Sequence, residues 1–223
     1  MAKPLKPEPK FFLRDDLYAK GLSHYSQAWF SGAGDDEVAG EKSTDYLESA
    51  PAAARIARDL PRVKLVFILR EPVDRAYSNY LWTKMNGLET ESFETAVRLE
   101  EQRERELPER LRFTRPYSYF SRGLYAELLA PYFKRFARAQ LLVARYEDIR
   151  ERPAALAESL QRFLGVALRP GDVEGLGVIN PSARDAAGPG NDVEVRRHLA
   201  ERYIEPNRRL AALLGPSFPM WAR

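Results

Sequence analysis

Cysteine is absent from the sequence, which excludes disulfides and thiolate metal centres. Histidine occurs only at His24 and His198, too far apart in sequence to suggest a histidine-based metal site. No apolar run approaches the roughly 18 residues that a membrane helix needs, and the opening "MAKPLKPEPKFF" has no signal-peptide core. Charge of one sign is also scarce: 35 Lys plus Arg stand against 32 Asp plus Glu, a net +3. The bases are interspersed with acids, and no basic patch carries interleaved aromatics, so nucleic acid is not an expected partner. These absences predict a metal-free, cytoplasmic protein that does not enter a membrane. The 223 residues suffice for a sizeable core and predict a single domain over 1–223.

What is present points to an α/β fold. Residues 63–69 are apolar except for Lys64. A run without alternation predicts a strand covered on both faces, as in a parallel sheet flanked by helices. "LLVARYEDI" (141–149) is a second such run. Helical patterns lie around them: Pro51 opens one, Leu124 to Phe136 carry an apolar stripe, and Gly165 closes the stripe Leu156, Leu160, Phe163, Leu164. The charge run at 100–112 predicts a solvated helix or loop. Two strands are few for a stable sheet, which normally needs three or more.

In "LREPVDRAYSNY" (69–80) the first strand ends on Arg70. Ligands of open α/β sheets bind beyond the carboxyl ends of strands, where helix N-termini also point. Pro72 ends the strand, Asp74 is placed to cap the next helix, and Ala76, Tyr77, Tyr80 and Leu81 would face inward. Ser78 then falls in the first turns. A guanidinium fork and a hydroxyl near a positive helix end suit a phosphate monoester. Spacing alone leaves open a plainer arrangement, in which Arg70 pairs with Glu71 or Asp74 and Ser78 is an ordinary helix residue.

The same stretch resembles the 3′-phosphate-binding motif of sulfotransferases that use 3′-phosphoadenosine 5′-phosphosulfate. "PEPKFF" (7–12), "GEKSTDYL" (40–47), "NGLETESFETAV" (86–97), "SRGLYAELL" (121–129) and "LLVARYEDI" extend the likeness to bacterial relatives of the heparan-type enzymes. The resemblance implies a P-loop-NTPase-like sulfotransferase fold and 3′-phosphoadenosine 5′-phosphosulfate as co-substrate without a metal. It makes Arg70 and Ser78 the 3′-phosphate ligands, with Arg122 and Tyr125 further candidates near the nucleotide. Glu8, ahead of two Phe, takes the place of the base that accepts the acceptor's proton, and Lys42 that of the lysine at the reaction centre. The implied reaction is in-line sulfuryl transfer to a hydroxyl or amine of a small-molecule or saccharide acceptor. The family's late basic loop is matched only by Arg184 within 180–192. Its 5′-phosphosulfate loop, Lys-x-Gly-Thr-[Thr/Ser], has no counterpart in the sequence. The expectation is therefore an N-terminally incomplete fold whose missing strand would be central in the sheet. A non-catalytic nucleotide- or partner-binding homologue is the alternative.

Overall fold

The computed structural model describes residues 8–34, 36–111, 114–168 and 193–221. Chain order is α1 (Asp15–Tyr18), α2 (Gly21–Phe30), a 3₁₀ turn at Thr44–Glu48, α3 (Ala50–Asp59), β1 (Leu65–Leu69), α4 (Pro72–Met85) and α5 (Phe93–Arg105). After a 3₁₀ turn at Ser121–Gly123 follow α6 (Tyr125–Phe133), β2 (Leu141–Arg145), α7 (Asp148–Glu151), α8 (Pro153–Leu164), α9 (Val193–Arg202) and α10 (Ile204–Leu214). No described helix is long and apolar enough to cross a membrane.

Among the described residues the sheet consists of β1 and β2, parallel and in register from Leu65 opposite Leu141 to Leu69 opposite Arg145. The two strands bond to each other directly, with no strand between them. The second strand is shorter than its apolar run: the chain turns at Tyr146 and enters α7. The prediction of two covered faces also fails for β1. Phe67 and Leu69 are buried, whereas Val66 and Ile68 are 37% and 47% exposed. Hydrophobicity reports what a strand is able to bury; which face is covered depends on the elements beside it.

One core joins β1 to α3, α6 and α10 and takes in Phe11 and Phe12, both almost fully buried. The Phe11 ring stacks on Tyr25 at 4.5 Å, and the Phe12 amide donates to the Tyr46 hydroxyl at 3.2 Å. Burying side chains of this size contributes about 1.5–3 kcal/mol each, enough to fix the backbone three residues upstream, at Glu8. A second cluster, Val73, Ala76, Tyr80, Phe93, Val97, Tyr119, Val195, Leu199 and Tyr203, packs α4 against α5 and α9.

Helix ends follow local chemistry. Ser49 and Ser92 accept from the amides of Ala52 and Thr95 at the starts of α3 and α5, and Gly165 closes α8 at φ 80°. At α4 the cap is Glu71, not Asp74: its carboxylate accepts from the Asp74 amide at 2.6 Å, and Asp74 instead pairs with Arg196. Pro72 starts the helix because its missing N–H is not needed there.

The charge run at 100–112 is not wholly solvated. Phe93, Ala96, Val97 and Glu100 share the buried face of α5, and the Glu100 carboxylate accepts from the amides of Phe120 and Ser121 at 2.6 and 2.8 Å. Those bonds shape the turn that ends at Gly123, where a Cβ would lie 2.7 Å from Cζ of Tyr203 and closer still to its hydroxyl. Tyr203 has no room to retreat, being 1% exposed with its hydroxyl donating to the Phe120 carbonyl at 2.7 Å. Gly123→Ala is therefore expected to cost about 1–3 kcal/mol, the usual penalty of overpacking, read as a lowered midpoint in urea unfolding. An unchanged midpoint would mean that this contact is loose.

Candidate active site

The end of β1 is held on several sides. The Tyr125 hydroxyl donates to the Arg70 carbonyl at 2.8 Å. The Glu71 amide donates to one Glu147 oxygen at 2.9 Å, while the other accepts from the Trp221 indole at 2.9 Å. The Arg70 guanidinium lies 5.1 Å from the centre of the half-exposed Tyr146 ring, a cation–π contact. Ser78 follows on α4, partly buried, in the helix whose N-terminus starts beside Arg70. The Glu71 carboxyl caps that N-terminus, and its burial, outweighing its backbone hydrogen bonds, raises its pKa above the ordinary range. A carboxyl that neutralises readily opposes an incoming anion less than a fixed charge would.

A second cluster forms around Glu8, brought next to the 3₁₀ turn by the buried Phe pair. Its Oε1 pairs with Lys42 Nζ at 2.6 Å and accepts from the Thr44 hydroxyl at 2.7 Å; its Oε2 accepts from the Thr44 amide at 3.2 Å. Burial alone would raise the Glu8 pKa, but the Lys42 pair and the two Thr44 bonds outweigh it and hold the carboxyl below the ordinary range. Nearby Glu41 goes the other way. It accepts from Ser43 and Tyr25 hydroxyls at 2.9 and 3.1 Å, yet burial leaves its pKa raised. Two neighbouring carboxyls are thus shifted in opposite directions, Glu8 down and the more buried Glu41 up.

The structure accordingly brings Glu8 and Lys42 together, and Tyr125 onto the backbone of Arg70. Tyr125 is 4% exposed and serves through its hydroxyl. Arg122 is directed into the protein: its guanidinium meets Glu48 at 2.5 Å, Asp45 at 3.2 Å, the Asn79 side chain at 3.2 Å and the Thr114 carbonyl at 3.3 Å. Through Asn79 and Asp45, Arg122 ties α4 to the 3₁₀ turn. Arg184 lies outside the described residues. Sequence reasoning missed Thr44, Glu41, Tyr146 and Glu147, although all four stand inside the quoted segments "GEKSTDYL" and "LLVARYEDI".

Comparison with known proteins places the chain among sulfotransferases. Over 95% of its length the chain is 26% identical to the bifunctional heparan sulfate N-deacetylase/N-sulfotransferase 1 of Xenopus laevis, and 29% identical to the human enzyme 2 of that name. It is 28% identical, again over 95%, to mouse heparan sulfate glucosamine 3-O-sulfotransferase 3A1. The chain spans 26% of the length of the first two and 56% of the third. A solved structure of a sulfotransferase from Alicyclobacillus acidocaldarius superposes with a TM-score of 0.72 at 27% identity, covering 94% of this chain and 83% of that one. The helices and parallel strands therefore form an α/β sulfotransferase fold. The sequence profile of the sulfotransferase domain matches residues 53–176, a stretch that holds Arg70, Ser78, Arg122 and Tyr125. As this match takes in more than half of the sequence, the chain belongs to the sulfotransferase domain family.

Proposed function

We propose that the protein transfers a sulfuryl group from 3′-phosphoadenosine 5′-phosphosulfate to a hydroxyl or amine of an acceptor, with saccharides the first class to try because the relatives are named for heparan sulfate. The observation that carries this reading is the pairing of two sites of opposite demand. At the end of β1, Arg70, backed by Tyr146 and set beside the N-terminus of α4 that bears Ser78, offers the planar fork and hydroxyl that a ribose 3′-phosphate needs. At the 3₁₀ turn, Glu8 offers an ionised carboxylate beside the mostly exposed Lys42.

In the proposed step the acceptor oxygen or nitrogen attacks sulfur, and the bond from sulfur to the 5′-phosphate oxygen breaks. The acceptor's proton passes to Glu8, and adenosine 3′,5′-bisphosphate leaves. An alcohol is a poor nucleophile until a positioned carboxylate takes its proton. The ammonium of Lys42 stabilises charge on the transferring sulfuryl oxygens. No covalent enzyme intermediate enters the scheme.

The nucleotide half is tested by calorimetry with adenosine 3′,5′-bisphosphate. Arg70→Ala should weaken binding about 10- to 150-fold, the loss of a charge-assisted contact of roughly 1.5–3 kcal/mol. Absence of heat with the unaltered chain, or an unchanged affinity in the variant, would remove Arg70 from this role. Binding without transfer is the outcome that selects the non-catalytic alternative.

A further inference from the structure

Among the described residues, Lys10 at φ 49° and Arg115 at φ 41° are the non-glycine residues with left-handed backbone. Such conformations are disfavoured for side chains of this kind and persist where the surroundings over-determine them. Both residues send their side chains to the same 3₁₀ turn. Lys10 Nζ meets Asp45 Oδ2 at 2.7 Å, and Arg115 Nη1 meets Glu48 Oε2 at 3.3 Å. Arg122 bridges those two carboxylates from within, Nη2 to Asp45 at 3.2 Å and Nε to Glu48 at 2.5 Å. The result is one alternating row, Lys10, Asp45, Arg122, Glu48, Arg115, whose three inner side chains are 14% exposed or less. At its open end Lys10 Nζ stands 3.9 Å from Glu8 Oε2.

Lys10 therefore has two carboxylates in reach and sits on Asp45. We infer that Asp45 is a positioning residue that draws Lys10 away from Glu8, and that Arg122, braced by Glu48, holds Asp45 in place to do so. Without this arrangement a second ammonium would join Lys42 on Glu8. Oε1 is already engaged by Lys42 and Thr44, and Oε2 by the Thr44 amide. A close Lys10 would take the remaining approach to Oε2 and lower the basicity of the carboxylate, both against its use as a proton acceptor. Arg122 then acts through Asp45 and not on the donor nucleotide, in keeping with a guanidinium already directed at four protein acceptors. The use of Glu8 as a proton acceptor rests on the function proposed above; the competition for Lys10 is a matter of charge and distance alone. Among the described residues the groups facing Glu8 are Lys42, Lys10 and Thr44, while Glu41 interacts with it by charge and Asp45 pairs with Lys10.

The test is a carbon-13 carboxyl NMR titration of the full chain, with the Glu8 resonance assigned through Glu8→Gln. Asp45→Asn is expected to move the Glu8 pKa down in the parent chain and much less in a Lys10→Gln background; an equal drop in both backgrounds would be the direct effect of the lost charge and would overturn the inference. Loss of structure would move the pKa the other way, toward the ordinary value, so the sign separates positioning from unfolding. An unchanged or raised pKa in a folded Asp45→Asn variant overturns the inference. Should that variant not fold, Arg122→Gln is read in its place: an Asp45 no longer held lets Lys10 go over to Glu8, and the Glu8 pKa moves down while near-ultraviolet circular dichroism stays native, although loss of a cation by itself would move it up. No movement, or movement up, overturns it equally. Calorimetry with adenosine 3′,5′-bisphosphate run on the same samples keeps the two questions apart. Missing nucleotide binding in the unaltered chain would defeat the proposed function and leave the Glu8 titration fully readable.

Discussion

Glu8→Gln is expected to lower sulfuryl transfer by about 10²- to 10⁴-fold, the usual contribution of a positioned general base, while the affinity for adenosine 3′,5′-bisphosphate stays at its unaltered value. The amide keeps the shape of the carboxylate, and its one oxygen is able to accept from Thr44, so one of the two accepted Thr44 bonds is kept. What it loses is the capacity to take the acceptor's proton. The measurement is release of adenosine 3′,5′-bisphosphate from the donor across a panel of saccharide acceptors. Turnover equal to that of the parent would exclude Glu8 as the base. The pH profile adds a sign. A base works only when ionised, and Glu8 is held below the ordinary glutamate range by Lys42 and Thr44 against the effect of burial. Its contribution should thus persist as pH falls to the ordinary value of about 4.3 and fade only below it. A profile already halved near neutrality would point to another group.

The parts of this molecule that were legible in the sequence are those in which chemistry and geometry are local. Arg70 and Ser78 belong to one strand–turn–helix unit, so the apolar run, the proline and the helical spacing placed them without further help. Glu8 and Lys42 meet with α1 and α2 between them in the chain, and nothing in the spacing foretells that contact; the resemblance supplied it. The row behind Glu8 was not legible at all. Arg122 is 77 residues from Asp45 and 74 from Glu48, and no pattern in one sequence pairs cations and carboxylates over such separations. Glu100 is a different case, because its signal was present and overlooked. It stands at the fourth position of the spacing Phe93, Ala96, Val97, Glu100, on the buried face, where a carboxylate needs partners and finds two amides. The average charge of the run concealed an acid that faced inward. For β1 the sequence misled in the opposite direction, since Val66 and Ile68 have the composition of core residues and yet face outward.

Glu89 is a second inward acid, and Glu89→Ala should be the most damaging substitution away from the proposed chemistry. Its side chain is fully buried in the connection between α4 and α5. One oxygen takes Arg103 and the Tyr119 hydroxyl, both at 2.6 Å, and the other takes the amides of Thr90 and Glu91, both at 3.0 Å. Removing one partner of a buried pair costs about 3–5 kcal/mol, because the other charge is left uncompensated. Here the largely buried Arg103, a buried phenol and two amides would be stranded together. Tyr119 packs with Tyr80 and Phe93 in the cluster that carries α4, so the loss should spread to the helix of Ser78. Urea unfolding at neutral pH measures the cost. Burial raises the Glu89 pKa, but Tyr119, the Glu91 amide and Arg103 more than reverse this, so the folded value lies below the ordinary one. A depressed carboxyl stabilises the fold above its unfolded pKa and ceases to do so as pH falls through the folded value. The gap between parent and Glu89→Ala should therefore be widest near neutrality and narrow as the solution is made acid. A gap that is small at neutral pH, or that widens on acidification, would show that this carboxylate is not what ties the α4–α5 connection to Tyr119.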